Sequence, residues 1–192
     1  MLKSDGCVDF LVGRIKEILS EKGCVTVAID GRCASGKTTL ARALQEKIDC
    51  NVFAMDDYFL RPEQRTAERL SEAGGNVDRE RFLREILLPV SQRKNVTYRP
   101  FCCSTMSLSK EISVETKPVT IIEGSYCCHP ELIDLYDLKV FMDIDPALQL
   151  DRLIKRNGEE KTKKFVTRWI PLEENYFDKC AVKDKCDVVI EN

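Results

Sequence analysis

Residues 25–40 read VTVAIDGRCASGKTTL, and the reading of this stretch decides the fold. Residues 25–30 form a short β-branched apolar run, Gly31 to Thr38 follow the pattern G, four residues, G-K-T, and 39–48 then take up helical spacing. Strand, glycine-bounded loop and helix in that order are the context of a phosphate-binding loop. Gly31 and Gly36 let the backbone turn so that amides from about Ala34 through Ser35, Gly36 and Lys37 to Thr38 point into one concavity, with Thr39 opening the helix behind it. Such a concavity at a helix N-terminus selects an anion. Lys37 adds a mobile positive charge for β- and γ-phosphates, and the Thr38 hydroxyl is the expected Mg²⁺ ligand.

Upstream, Val8, Leu11, Val12, Ile15, Ile18 and Leu19 recur at helical spacing and Gly23 stands where a helix-ending glycine belongs, which predicts a packing helix. Downstream, 51–55 read as a second strand ending on Asp56-Asp57-Tyr58-Phe59. Acids at the carboxyl end of a strand, one strand after the phosphate loop, lie where an open α/β sheet places its ligands. A carboxylate there takes or orients the proton of a substrate hydroxyl during phosphoryl transfer, although a capping turn uses the same residue type. A third strand, Val119–Glu123, ends in Glu123-Gly124. An acid at that position either holds Mg²⁺, often through water, or is an exposed strand-end glutamate.

Residues 60–76 are polar and broken by Pro62 and Gly74-Gly75, predicting a mobile loop or short helix at the mouth of the site. Residues 78–88 are amphipathic, with Phe82, Leu83, Ile86 and Leu87 inward and Pro89 as the terminator. The segment 95–109 carries Tyr98, Arg99, Phe101 and the pair Cys102-Cys103, a composition that suits a substrate wall or an edge hairpin packing its own aromatics. A fourth strand is expected at 139–144, after which Asp145-Pro146 start a helix that runs to Asn157-Gly158. Arg152 and Arg156 share one face of that helix. The charged stretch 159–169 that follows includes Arg168. Arginines so placed meet negative charge on a phosphoryl group from a closing lid, or simply form a solvated face. With a helix at 171–179 and a fifth strand at 187–190, strands alternate with helices, which argues for an α/β parallel sheet between helical layers.

The 192 residues suffice for one α/β domain, and 43% hydrophobic with 32% charged residues is ordinary globular usage. Thirty basic against 32 acidic side chains, a net charge of −2, give no electrostatic case for nucleic acid or a membrane surface. No apolar run reaches a membrane span and the N-terminus lacks a signal-peptide core, so a cytosolic protein is expected, with its ten cysteines as reduced thiols. Cys127-Cys128-His129 and Cys102-Cys103 lack the C-x-x-C spacing of a metal site. A GTPase switch is excluded because neither a strand-end D-x-x-G nor N-K-x-D occurs.

Taken together, GRCASGKTT, MDDYFLRP, GGNVDRERF and IIEGSY resemble the uridine kinase group of P-loop kinases, to which nicotinamide riboside kinase and phosphoribulokinase are related. The resemblance runs from about Thr26 to the RNG and WIPLEENYF segments. It implies one P-loop NTPase domain over 1–192, a three-layer sandwich with a five-stranded parallel sheet and a helical lid at about 152–168. It also implies Mg²⁺-assisted transfer of the γ-phosphoryl group of ATP to a small-molecule hydroxyl, most often a nucleoside 5′-OH. Self-association is left open. Carried over by position, the catalytic base falls on Asp56 rather than Asp57, and Lys37, Arg152 and Arg156 complete the catalytic set. Nucleotide binding takes Gly31, Ala34 to Thr39 and Arg168; the metal side takes Thr38, Glu123 and Asp56. The acceptor side takes Asp56, Asp57, Tyr58, Asp78, Tyr98, Arg99 and Phe101, with Asp78 as the ribose-contacting acid. One departure bears on the acceptor. Uridine kinases show an aromatic-Asp-aromatic run and then His in the base-reading hairpin, whereas here the run is Phe101-Cys102-Cys103 and Met106 takes the histidine position. A buried base edge without such partners costs ~1–3 kcal/mol per group, so the resemblance leaves the acceptor open among nucleosides, vitamin ribosides, sugars and pantothenate-type metabolites.

Overall fold

The computed structural model describes Leu2, Lys3 and residues 6–192. In chain order it runs β1 (Leu2–Lys3), α1 (Cys7–Lys22), β2 (Val25–Gly31), α2 (Lys37–Lys47) and β3 (Cys50–Ala54), then the short helices α3 (Ala67–Ser71), α4 (Arg79–Phe82) and α5 (Leu88–Ser91). Two antiparallel pairs follow, β4 (Val96–Tyr98) with β7 (Ile112–Val114) and, nested inside, β5 (Phe101–Cys102) with β6 (Ser107–Leu108). The chain ends with β8 (Val119–Glu123), β9 (Leu138–Asp143), α6 (Pro146–Asn157), α7 (Glu159–Lys164), α8 (Ile170–Cys180), α9 (Val182–Lys185) and β10 (Val188–Glu191).

The main sheet is wholly parallel, in the order β1-β10-β9-β2-β8-β3. Alternation along its strands builds two cores. Val25, Val27, Ile29, Ile121, Val140 and Met142 face Leu11, Ile15, Leu40 and Leu44 of α1 and α2. Ala28, Phe53, Ile122 and Phe141 face the opposite layer, with Phe82, Tyr176 and Phe177. Buried on both faces, β2 and β8 are apolar almost throughout, as parallel strands must be.

Register then builds the site. Glu123 lies opposite Ile29 on one side and Ala54 on the other. The phosphate loop leaves β2 just past that level, and Asp56 lies in the short helical turn Met55–Tyr58 that begins directly after Ala54. All three carboxyl ends therefore open on one edge of the sheet.

The five expected parallel strands are present as β2, β3, β8, β9 and β10, and among the described residues Leu2–Lys3 adds a sixth at the edge, paired with Ile190 and Glu191; two residues are too few to show any periodicity. One expectation needs correcting. Pro89 does not end the helix that starts after Asp78. A wide π turn at Leu83–Leu87 hands the Leu88 amide to the Leu83 carbonyl, so Pro89 enters as a first-turn residue of α5 where its missing N–H costs little. Residues 60–76 contain a short turn at Pro62–Gln64 and the short α3, held by Arg69 to the Gly75 and Val77 carbonyls and to Glu80.

His129, the single histidine, is buried after β8, where Nδ1 accepts from the Glu131 amide and the ring stacks on Tyr176. Burial first, and then the Arg79 charge, lower its pKa below the ordinary value. The folded chain thus holds His129 neutral while the unfolded chain takes up a proton below about pH 6.5. Stability is complete above that pH and declines as the pH falls, by at most ~1.4 kcal/mol per pH unit for this one group. Urea unfolding between about pH 7 and 5.5 should show this slope in the natural chain and a flatter one in His129→Asn; equal slopes would refute the assignment.

Candidate active site

The phosphate loop is bent by its backbone requirements. Gly31 (φ 134°) lies so close to β9 that an added Cβ would overlap the Met142 carbonyl oxygen, so no other residue fits. Ala34 and Gly36 also have positive φ, 60° and 99°. Gly36 is the N-cap of α2 and no side chain caps it, leaving the first-turn amides of Lys37, Thr38 and Thr39 for an anion. The buried Ser35 hydroxyl in the same loop has no hydrogen-bond partner. Lys37, 8% exposed, donates from Nζ to the carbonyls of Gly31 (2.7 Å) and Arg32 (2.9 Å) and to Ser125 Oγ (3.2 Å).

Beside the loop, Thr38 Oγ1 donates to Glu123 Oε1 at 3.0 Å. Burial raises the Glu123 carboxyl above the usual glutamate range and the Asp56 charge adds to this, while the Thr38 hydroxyl and Lys37 oppose it. A hydroxyl and a carboxylate side by side are the hard oxygen donors that suit Mg²⁺. They line a cleft of about 1090 Å³ that also exposes Ala34 to Thr39, Asp56, Arg152, Arg156 and Arg168. Of the donor-side residues expected from sequence, Gly31 alone stands behind the cleft wall, packed on Met142, where its carbonyl holds Lys37. Arg152 Nη1 donates to the Ala34 carbonyl (3.1 Å), and the guanidiniums of Arg156 and Arg168 lie over Phe165 and Trp169.

The acceptor side is rearranged relative to expectation. Asp56 is exposed in the cleft, but Asp57, Tyr58, Asp78, Tyr98, Arg99 and Phe101 do not line it. Tyr58, Tyr98 and Phe53 pack on one another as core. Asp78 caps α4, accepting from the Arg81 amide (3.1 Å) and from Gln64 Nε2 (2.9 Å). Arg99 is turned back onto the Ser109 and Leu108 carbonyls, and Phe101 is buried under the Arg65 guanidinium. The edge hairpin that packs its own aromatics is thus the observed alternative. In place of these residues the cleft receives Phe59, Arg65, Asn76, Cys103, Met106 and Tyr126. A turn followed by a hairpin hides from sequence which of two adjacent side chains points outward.

Three further residues escaped the sequence. Arg81, 4% exposed, stacks on Tyr58 (4.0 Å) and donates to the Asp57 and Arg99 carbonyls, tying the Asp56 turn to the hairpin. On an amphipathic helix such an arginine reads as solvent-facing. Asp30, fully buried at the end of β2, accepts from the amides of Gly31 (2.7 Å), Tyr126 (3.2 Å) and Cys128 (2.8 Å) and from the Tyr176 hydroxyl (2.8 Å). Although Asp30, Cys127 and Cys128 lie within 4.8 Å of one another, these four donors occupy both carboxylate oxygens and leave none for an ion. Glu173 of α8 accepts from the Cys33 amide (2.9 Å) and Ser125 Oγ (2.7 Å).

The profile of the phosphoribulokinase / uridine kinase family matches residues 26–191. The chain belongs to that family. It is 28% identical over 163 residues to the uridine kinase of Ureaplasma urealyticum serovar 10, covering 79% of each chain. It is 29% identical over 150 residues to the uridine kinase of Geobacillus kaustophilus, covering 73% of this chain and 71% of that one. Among solved structures, a possible uridine kinase from Bacillus stearothermophilus shares the fold with a TM-score of 0.71 at 24% identity, over 95% of this chain and 96% of that one. YFH7 from Saccharomyces cerevisiae does so with a TM-score of 0.71 at 12% identity, over 96% and 99%. The chain is therefore an α/β P-loop kinase, a phosphotransferase by family.

In this kinase Arg32 fastens α8 to the loop. Its Nε and Nη2 donate to both oxygens of Glu174 (2.6 and 2.8 Å) and its Nη1 to Asp143, which raises the guanidinium pKa still further. Hydrogen bonds between charged groups contribute about 1.5–3 kcal/mol each when well shielded, and this half-buried cluster falls toward the lower end. Arg32→Ala should lower unfolding stability by about 1–3 kcal/mol and weaken nucleotide binding more than Arg14→Ala, whose ion pair is exposed. Denaturant titration and nucleotide titration check this; equal effects of the two substitutions would contradict it.

Proposed function

We propose that this chain is a cytosolic, Mg²⁺-requiring kinase that moves the γ-phosphoryl group of ATP to a hydroxyl of a small molecule, a nucleoside in the first instance. The observation that carries this reading is one cleft with an uncapped anion-binding loop on one wall and the exposed Asp56 carboxylate on another, with Glu123 between them in register.

The assignment of roles follows from position. The amides of Ala34 to Thr39 and the Lys37 ammonium bind and orient the phosphates. Lys37 already lies among the Gly31, Arg32 and Ser125 oxygens, so a short swing of its side chain carries the charge to a bound phosphate. Thr38 and Glu123 would hold Mg²⁺, whose contribution when bound is to offset charge on the phosphate oxygens. Asp56 accepts the proton of the acceptor hydroxyl as it attacks. Arg152, Arg156 and Arg168, carried on α6 and the turn Phe165–Trp169, face the same cleft and stabilise negative charge on the transferring group. With α8 fastened to the phosphate loop through Arg32, Glu173 and Glu174, the segment free to close as a lid lies between Arg152 and Arg168.

The acceptor end supports a small, largely apolar guest. Phe59, Leu60, Leu70, Cys103 and Met106 provide apolar walls, and Arg65, Asn76 and Tyr126 provide a few polar groups. A uracil edge would meet thioether and thiol here, with no carboxylate or imidazole from the hairpin, so discrimination for uridine over other nucleosides should be weak.

Labelled ATP offered with a panel of nucleosides, vitamin ribosides and sugars tests the proposal. Transfer to at least one member is expected, and Asp56→Asn should lower its turnover by ~10²–10⁴ while nucleotide affinity stays unchanged. Turnover that survives Asp56→Asn would reduce the site to a nucleotide holder.

A further inference from the structure

One buried acid of the cleft wall has no part in moving the phosphoryl group. Glu173, 5% exposed on α8, accepts at one carboxylate oxygen from the Cys33 amide of the phosphate loop (2.9 Å) and at the other from the Ser125 hydroxyl (2.7 Å). Ser125 Oγ in turn accepts from Lys37 Nζ at 3.2 Å. A carboxylate and an ammonium are each costly to bury alone, and Lys37 is only 8% exposed. Among the described residues neither is in a direct ion pair, so each is the counter-charge of the other across a single hydroxyl. Asp30 and Glu123 also feel the Lys37 charge, but four donors take up the first and the Thr38 hydroxyl bonds the second. The reach of the Glu173 charge shows at its neighbours. After burial it is the next cause that pushes the Cys33 thiol up to about 12 and raises the Tyr126 hydroxyl.

We propose that Glu173 is a positioning residue that serves the empty phosphate loop as an internal anion, holding Lys37 through Ser125 until a triphosphate draws the ammonium away, so that its charge limits nucleotide affinity. Two penalties accompany binding. Lys37 leaves the carboxylate without its counter-charge in a buried wall, and the incoming phosphates bring like charge close to it. Glu174, one residue on, behaves differently. Both its oxygens accept from Arg32, so it keeps its cation whether the loop is empty or full. Glu173→Gln removes the charge and keeps the contacts. The new amide oxygen accepts from the Cys33 amide, the amide nitrogen donates to Ser125 Oγ, and the Ser125 hydroxyl turns to the Gly31 carbonyl, 3.0 Å away. This role rests on the triphosphate-binding half of the reading above and not on the choice of acceptor.

Isothermal titration of the full chain with tripolyphosphate, and separately with a non-hydrolysable ATP analogue, tests this. Glu173→Gln should bind both at least ~5-fold more tightly than the natural chain, with its urea unfolding midpoint unchanged. A merely structural carboxylate would give the opposite sign, because its loss loosens the loop. Glu173→Met removes the charge without replacing the hydrogen bonds and should also tighten binding. Glu174→Gln makes the same change in net charge but breaks an Arg32 contact, so its binding should be unchanged or weaker. Equal or weaker binding by Glu173→Gln, or by Glu173→Met where the glutamine variant does not fold, overturns the inference, as does tightening of the same size in Glu174→Gln. A natural chain that binds neither probe overturns the triphosphate reading itself.

Discussion

A single buried carboxylate, Asp30, ties together the parts of the molecule that make the site. Its two oxygens gather the first amide of the phosphate loop, two amides of the turn after β8 and the hydroxyl of Tyr176 on α8. A carboxylate without water around it is tolerated only when its lone pairs are used, and each donor left unpaired would cost ~1–3 kcal/mol. The requirement runs both ways. The loop, the post-β8 turn and α8 must converge at one point, and this convergence also sets Tyr126 at a left-handed φ of 79° in the cleft wall. Ser125 and Glu173 extend the same network to Lys37 and the Cys33 amide.

The two ends of the cleft obey different constraints. The donor end is made of backbone. Register in a parallel sheet, a glycine with no room for a Cβ and a helix start with unsatisfied amides leave little latitude in side-chain placement. The acceptor end is made of side chains on a turn, a short helix and a small hairpin, pinned by Arg81, Arg69 and Arg99 to backbone carbonyls. Such a wall varies through the residues at its tips without disturbing the sheet, which is where a kinase of shared chemistry differs in acceptor.

Of two wide π turns, Leu83–Leu87 and Phe165–Trp169, the second contributes Phe165, Arg168 and Trp169 to the cleft. The first lets a helix carry Pro89, and the second turns Arg168 and Trp169 toward the phosphate loop while α8 stays fastened by Arg32 and Glu174. A helix that changes its hydrogen-bond step beside a site aims side chains that a regular helix would point elsewhere.

Sequence by itself determined the phosphate loop, the apolar central strands, the Asp145-Pro146 helix start and the acids at the ends of β3 and β8. Each of these is written in short-range spacing or in a local backbone requirement: G-x-x-x-x-G-K-T, a short β-branched apolar run, a cap and a proline. Tertiary structure alone decided the sixth strand, the passage of a helix through Pro89 and the hub at Asp30. It also decided that Tyr58, Tyr98 and Phe101 are core while Cys103, Met106, Arg65 and Asn76 line the wall, whereas the family resemblance already favours Asp56 over Asp57. These depend on which of two neighbouring side chains a turn points outward and on partners as distant in the chain as Asp30 and Tyr176 or Leu2 and Ile190. No local period carries that information, because long-range burial and hydrogen-bond satisfaction select among local conformations that are close in energy.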